Sequence, residues 1–550
     1  MTLLRAHPKT CVRLAPKPTG RSPWASALVA QMVVFVWFGP YLANLNTEWS
    51  RYNYFWRASD TGYVLACLLL IALPAWLLGE LVYRLGRPML SRVFNHLFVL
   101  VLGAGLINNV VFVSSRLGPF ALKRAGLAVQ MAYVLLAALV AYSFARRGSR
   151  LVSRCRTACL VFSPAMATVI VRLLTLPGYP QALEPLPTPA PRVIPAAIST
   201  EPARPVYMFI FDEWSYEHSY ENGRLRPFFA NLQALSRQSI VFHDAHAPGT
   251  KTEESLPRLL FQTDLPVVVD QGRTGFQREG RFVPSYELPS IFCAARELGY
   301  HSLLIGFSLP YRHWLRDQAE VCRSYCYYQR GDDVLSHLAV HTRNALHYCA
   351  DPWLRRPIKR LEGQAIYSVV LGLYRETKRD MLRVIREQPA NTFTLCHFHC
   401  PHPPYILNED GSYRSPEQTV WLPSSVEGYQ ANLAGLDAII GELVTAMKDA
   451  GRFDEALIIM TSDHSWRDDP SRCSGKTAAP VTHVPLIVKL SGQDQARQVT
   501  ARFETRFLGT LIAAALQAGN PPERMADLLP LQAVVRETGS ETPAIARYPG

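Results

Sequence analysis

The sequence predicts two parts of different class: a membrane-embedded helical region, then an α/β domain on a mostly parallel central sheet. Two observations carry this. Five stretches that are almost free of charge lie before residue 180, each about twenty residues long and so sufficient to cross a bilayer. Beyond residue 205, short apolar runs of strand type alternate with amphipathic helical ones, the pattern of a parallel sheet flanked by helices.

The expected spans are 24–43, 62–83, 94–114, 125–145 and 157–176, making residues 1–176 a five-helix transmembrane domain. Glu80 and Arg172 fall near helix ends, where long charged side chains reach the interface. The net charge of +13 belongs to this region, with 19 Lys and Arg against 3 Asp and Glu before residue 180 and 38 against 41 after it. A nucleic-acid partner is therefore not expected. Thirteen basic residues fall on the N-terminal tail and on the loops around Arg84–Arg92 and Arg146–Arg156, and five on the alternate loops. The positive-inside rule puts the N-terminus in the cytoplasm and the large C-terminal part on the periplasmic side of an inner membrane, as a multi-pass protein. A cleaved signal or a transit peptide is the alternative for the N-terminus. The first apolar segment is too long for the former, and the five spans make the latter unnecessary.

Residues 177–204 are dense in proline and read as a semi-rigid linker. The α/β domain then runs over 205–550. Its expected elements are strands at 205–211, 301–306, 392–398, 455–461 and 484–490, and helices at 228–238, from about 253, 288–298, 333–348, 361–388, 426–449 and 501–518. Seven of the eleven cysteines lie in this part, which fits a compartment that permits disulfides. Cys322 and Cys326 are spaced for a local loop, and the odd number leaves at least one thiol unpaired.

Active sites of open α/β sheets form at the C-terminal ends of strands. Asp212 and Glu213 follow the run Val206–Phe211, and Asp463 and His464 follow Ala456–Met460 through Thr461 and Ser462. Glu213 is the expected metal ligand of the first pair, with Asp212 beside it; the simpler account is an acidic pair satisfying helix-start amides. Thr252 stands where a helix is expected to begin, so amides and helix dipole favour an anionic oxygen there. A metal would favour the alkoxide further. Thr250 and Ser255 compete with it, and the simpler account is that one of the three hydroxyls only caps the helix. One carboxylate and one imidazole from Asp463-His464 suit zinc or manganese better than magnesium or calcium.

The run Cys396-His397-Phe398-His399-Cys400-Pro401-His402 looks like a Cys/His metal cluster. Strand alternation puts the two cysteines and the two histidines on opposite faces, which argues against a four-ligand zinc knot. His402, on a proline-bounded loop, is the better functional candidate, and His397 and His399 read as core histidines. His483, just before Val484–Val488, is similar in character to His402.

The order of these motifs (acidic pair, Gly-Thr-x-Thr-x-x-Ser-x-Pro, His-Pro-Pro, Ser-Asp-His, His-Val-Pro) behind membrane helices and a linker resembles the sulfatase-like branch of the alkaline phosphatase superfamily. Within it the chain is most similar to membrane-anchored phosphoethanolamine transferases and lipoteichoic acid synthases. The resemblance implies that Glu213, Thr252, Asp463 and His464 bind the catalytic divalent metal, with Thr252 the nucleophile that becomes phosphorylated. It also implies that His402 and His483 hold the phosphoryl group or a second metal. Trp214 and Trp466 stand where small residues are common, a departure that bears on the substrate pocket. The Cys/Ser-x-Pro-Ser/Ala-Arg motif that sulfatases convert to formylglycine is missing, which disfavours sulfate-ester hydrolysis.

The expected function is transfer of a phospho-alcohol head group, phosphoethanolamine being favoured, from a membrane phospholipid to an envelope lipid or glycan. A sulfatase-like phosphodiesterase or sulfuric-ester hydrolase is the alternative. A non-catalytic envelope scaffold is the reading from another class, and the intact set Glu213, Thr252, Asp463 and His464 argues against it. Sequence gives no oligomeric state.

Overall fold

The computed structural model describes residues 22–45, 58–116, 119–146, 149–174, 204–270, 273–325, 335, 338–339, 341–342, 352–475 and 479–517. Linker residues 177–203, Cys326 and most of the expected helix 333–348 lie outside them. The chain divides into two compact units, one of Met1–Asn46, Arg57–Pro177 and Arg330–Lys359, the other of Thr47–Trp56, Gly178–Gln329 and Arg360–Gly550.

The first unit is helical: α1 (Pro23–Leu45), α2 (Ala58–Arg84), α3 (Pro88–Arg116), α4 (Pro119–Ala145), α5 (Arg150–Phe162) and α6 (Pro164–Leu174). Helices cover the described residues of all five expected spans, the last of them as two, α5 and α6. By length and composition, four are apolar enough to cross a membrane: Pro23–Ala43, Thr61–Arg84, Pro88–Val111 and Arg150–Leu174. In α4 the described apolar stretch is Met131–Ala145. The last span is interrupted at Ser163, because Pro164 lacks the N–H that would continue the ladder and the Ser163 hydroxyl bonds the Leu160 carbonyl instead (2.8 Å). Many of the outward side chains are large and apolar, among them Leu69, Leu77, Val110 and Leu135, as expected of surfaces that face lipid. Where the chain re-enters this unit, Tyr41 Oη and His341 Nδ1 lie 2.7 Å apart.

The second unit is built on a nine-stranded sheet of β1 (Val206–Phe211), β2 (Ile240–His246), β3 (His301–Phe307), β4 (Val321–Tyr325), β5 (Thr392–Phe398), β6 (Leu457–Ser462), β7 (His483–Lys489), β8 (Arg497–Val499) and β9 (Phe503–Glu504). Its order is β8-β2-β7-β6-β1-β5-β3-β4, with β9 also on β2. Only β7 runs against the rest. Central β1 is buried along its whole length, so it reads as a continuous apolar run rather than an alternating one.

Helices cover both faces. Tyr207, Phe209 and Phe211 of β1 pack in one layer with Tyr374 and Met381 of α8 (Pro352–Glu387) and Leu433 and Leu436 of α9 (Val426–Asp449). Val206, Met208 and Ile210 pack in the other with Leu256 and Leu259 of α7 (Thr252–Leu260) and Ile512 of α10 (Leu508–Gln517). Each fully buried side chain of this size contributes roughly 1.5–3 kcal/mol of burial. Trp214 and Trp466 belong to this core. Both are fully buried, and Trp466 stacks on Tyr429 with centroids 4.2 Å apart. They fill the interior beneath the sheet edge.

Candidate metal centre and nucleophile

The sheet delivers the chemistry to one edge. β1 and β6 are parallel neighbours in register, Phe211 beside Ser462, so Asp212-Glu213 and Asp463-His464 leave adjacent strand ends. The turn after β1 is tight: Glu213 has φ +67°, a left-handed conformation that a non-glycine residue adopts at a cost of order 1 kcal/mol or more. Surrounding bonds hold it there. The Glu213 amide donates to Asp463 Oδ1 (3.2 Å), the Tyr429 hydroxyl donates to the Glu213 carbonyl (2.6 Å) and the Trp214 amide donates to Ser462 Oγ (2.8 Å).

This turn decides which acid of the pair joins Asp463. Donor atoms of Asp212, Asp463 and His464 lie within 4.8 Å of one another, all buried. Glu213 is turned aside, its Oε1 accepting from Arg467 Nε at 2.7 Å. Asp212, expected beside Glu213, is thus the acid of the pair that joins this three-residue group, while Oε2 of Glu213 is buried without a hydrogen-bond partner.

The group suits a divalent cation. Asp212 Oδ1, Glu213 Oε2 and Asp463 Oδ2 are buried without a hydrogen-bond partner, which is costly for carboxylates unless a cation sits among them. His464 Nδ1 lies 2.9 Å from the Ser465 carbonyl. That contact requires the proton on Nδ1, so the Nε2 lone pair faces the carboxylates, as in supported metal histidines. Burial, with the charges of Asp463 and Glu213, pushes the Asp212 carboxyl well above the usual range. Burial opposes ionisation of Asp463 too, but His464, His397 and the Thr252 hydroxyl outweigh it and hold its pKa low. Two carboxylates and one imidazole make a possible site for one divalent ion.

Thr252 is the hydroxyl that reaches this group. Its Oγ1 lies 3.2 Å from His464 Nε2. The N-cap position belongs to Lys251, and Thr252 is the first helical residue of α7, one place later than a capping hydroxyl. Ser255 is buried and donates to the Asp463 carbonyl (2.5 Å), while Thr250 is exposed. Gly249 precedes them because a Cβ there would stand 2.8 Å from the Ser255 amide nitrogen.

The sulfatase family profile matches residues 206–517. The chain belongs to the sulfatase family. A search of the curated proteins finds no match. Among solved structures, this sulfatase-family chain is similar to a phosphonate monoester hydrolase of Agrobacterium radiobacter (15% identity, 57% of this chain and 73% of that one, TM-score 0.35). It is also similar to the PsFucS1 sulfatase of Pseudoalteromonas (15%, 58% and 69%, 0.38) and a lipoteichoic acid synthase of Listeria monocytogenes (11%, 57% and 72%, 0.35). Enzymes of this superfamily are typically dependent on divalent metals, in keeping with the donor set.

The two other expected histidines of this sulfatase-family chain have separate surroundings. The His402 amide donates to the Asp212 carbonyl (3.1 Å), tying its loop to β1. Its Nδ1 lies 2.6 Å from the Pro403 carbonyl and its Nε2 3.5 Å from Arg467 Nη2. Burial, relieved in part by Glu213 and reinforced by Arg467, lowers its pKa. His483 opens β7 at the same sheet edge, but its Nδ1 lies 2.6 Å from Glu217 and its Nε2 3.0 Å from the His243 carbonyl. Burial works against its protonation, and Glu217 overcomes this and raises its pKa. Both ring nitrogens are thus engaged outside the Asp212–Asp463–His464 group. Cys396 and Cys400 pack in the layer under α8 and α9, whereas His397 meets the Tyr311 hydroxyl on the opposite layer (2.7 Å). Cys322 is a free, buried thiol.

Arg467 was not singled out by the sequence. It lies three residues beyond His464, and its guanidinium bridges the buried Glu213 and the part-exposed His402. Its side chain is 36% exposed, so it offers remaining donors toward solvent at the rim of the group.

Proposed function

We propose that this chain is a membrane-anchored phosphotransferase that moves a phospho-alcohol head group, phosphoethanolamine being favoured, from a phospholipid onto Thr252 and then to an envelope lipid or glycan. The observation that carries the reading is Thr252 Oγ1 beside His464 Nε2 at the start of α7, within reach of the Asp212–Asp463–His464 group. A zinc or manganese ion held by those three residues would lower the pKa of the hydroxyl and neutralise developing phosphoryl charge. The positive end of α7 supports the same oxygen. Arg467 presents its fork to the phosphoryl oxygens, and His402 Nε2, beside it, is placed to hold a proton exchanged with the leaving or accepting oxygen. Four apolar helices fit a donor that is itself a membrane lipid, since tethering raises its effective concentration. Mass spectrometry of envelope lipids and glycans with and without the protein tests the reading. A head-group adduct that depends on the protein is expected, whereas free head group released without any adduct would make the chain a hydrolase.

Arg467→Ala is expected to lower kcat/KM by about 10²- to 10³-fold, the usual effect of losing one preorganised oxyanion donor. Arg467→Lys should recover only part of it, because an ammonium lacks the bidentate fork. Steady-state kinetics with a soluble phosphodiester checks both, with a thermal melt beside it because Glu213 loses its partner.

Topology has its own test. A reporter that is active only when exported, fused after Pro205, should be active if the catalytic unit lies on the periplasmic side. Activity of a cytoplasm-specific reporter at that point would overturn the orientation.

A further inference from the structure

The first unit holds a cavity of about 360 Å³ that the chemistry above does not use. It lies among α1, α2, α3 and α5, and its walls are apolar, with Val29, Val33, Phe94, Leu97, Val101 and Leu160 among them. Four side chains with polar atoms also line it: Ser26, Trp76, Glu80 and Arg156.

Their depths are ordered. At 1.5 Å per helical residue, Ser26 lies about 5 Å from the start of α1, Glu80 about 6 Å from the end of α2 and Arg156 about 9 Å from the start of α5. Val34 and Leu160 lie roughly 15 to 17 Å from the starts of α1 and α5, and Val101 about 20 Å from the start of α3. The cavity thus runs from a polar mouth to an apolar floor over about one leaflet of hydrocarbon. Its mouth is at the helix ends that carry Arg84, Arg87, Arg150 and Arg154, the cytoplasmic side by the positive-inside rule.

The charges at the mouth have opposite sign. Arg156 Nη2 donates to Asn95 Oδ1 at 2.7 Å, which holds the guanidinium in place. Glu80 forms no ion pair among the described residues and is only half-buried. Ser26 Oγ and Trp76 Nε1, both lining the cavity, are buried without a hydrogen-bond partner. An ionisable residue at membrane depth implies a partner of opposite charge. A purely anionic lipid would meet repulsion from Glu80.

We propose that this cavity binds a glycerophospholipid whose head group carries both a phosphate and a primary amine. One acyl chain lies against the Val29–Leu160 wall, the phosphate faces Arg156 and the ammonium faces Glu80. Ser26 and Trp76 donate to ester or phosphate oxygens. Among the described residues, neither the Asp212–Asp463–His464 group nor Thr252 lines the cavity, so the lipid is a bound structural or regulatory ligand and does not react there. The proposal is independent of the transferase reading.

The test is native mass spectrometry of the full chain in detergent, titrated with phosphatidylethanolamine or phosphatidylglycerol of matched acyl chains. The unaltered protein should retain the amine lipid at least about tenfold better. Glu80→Gln should abolish that preference, Arg156→Ala should weaken both lipids, and Ala30→Trp or Ala75→Trp should exclude both by filling the cavity. Excess soluble phosphoethanolamine should not displace the lipid. Equal retention of the two lipids by the unaltered protein would overturn the proposal, as would unchanged preference in folded Glu80→Gln. Retention unaffected by both tryptophan variants would place the lipid elsewhere, and displacement by the soluble head group would overturn a lipid as the ligand. Monodisperse elution identifies the folded variants, and the two tryptophan positions lie on different helices so that one failure to fold does not remove the test.

Discussion

Thr252→Ala is expected to abolish head-group transfer, a loss of at least about 10⁴-fold of the kind that follows removal of a nucleophile. The substitution removes the hydroxyl that lies 3.2 Å from His464 Nε2 and leaves the fold its other fastenings. Ser255 still bonds the Asp463 carbonyl, and Lys251 still occupies the N-cap position. Loss of one hydroxyl at a helix start costs about 1 kcal/mol, so the protein should remain folded. A slow substrate should trap a phosphorylated peptide that maps to Thr252 in the unaltered enzyme and is missing in Thr252→Ala. Thr250→Ala should be close to neutral, because Thr250 is exposed. Activity that survives Thr252→Ala and disappears in Thr250→Ala would move the nucleophile two residues upstream.

The strands of the second unit were legible where burial is two-sided. The runs at 206–211, 392–398 and 457–462 are buried along their whole length and mostly apolar, and the parallel sheet then fixes the edge at which their acidic and histidine neighbours emerge. β2 and β4 were not legible: Ile240–His246 ends in His-Asp-Ala-His and Val321–Tyr325 carries Arg323 and Ser324, so neither reads as a core strand. Pairing with β7 and β3 makes them strands, and partner pairing is not written in a local pattern. The hairpins at 267–284 were missed for the same reason. The site shows a similar limit. Alternation along a strand cannot say whether Asp212 or Glu213 faces Asp463, because the chain leaves the strand at that point with a left-handed turn whose bonds come from partners between 216 and 250 positions away in sequence. Arg467 was hidden because its role depends on reaching Glu213 across that turn.

The second large effect concerns the metal itself. The purified protein is expected to carry a tightly held divalent ion, zinc or manganese by its mixed oxygen and nitrogen donors, and Asp463→Ala combined with His464→Ala should empty the site. Elemental analysis after gel filtration reads this directly, without reference to activity. Single substitutions then separate the two acids of the first pair. Asp212→Asn should lower occupancy sharply, because its orphaned Oδ1 belongs to the three-residue group. Glu213→Gln should leave much of the metal in place, because Oε1 of Glu213 is already committed to Arg467; its affinity should fall by no more than the roughly 10- to 100-fold typical of a supporting partner. The opposite pattern, metal lost with Glu213→Gln and kept with Asp212→Asn, would return the ligand role to Glu213 through its own orphaned Oε2. Full occupancy in the double variant would place the ion away from Asp463 and His464 altogether, leaving three buried carboxylates around Arg467 and His464 with too little positive charge to explain their burial.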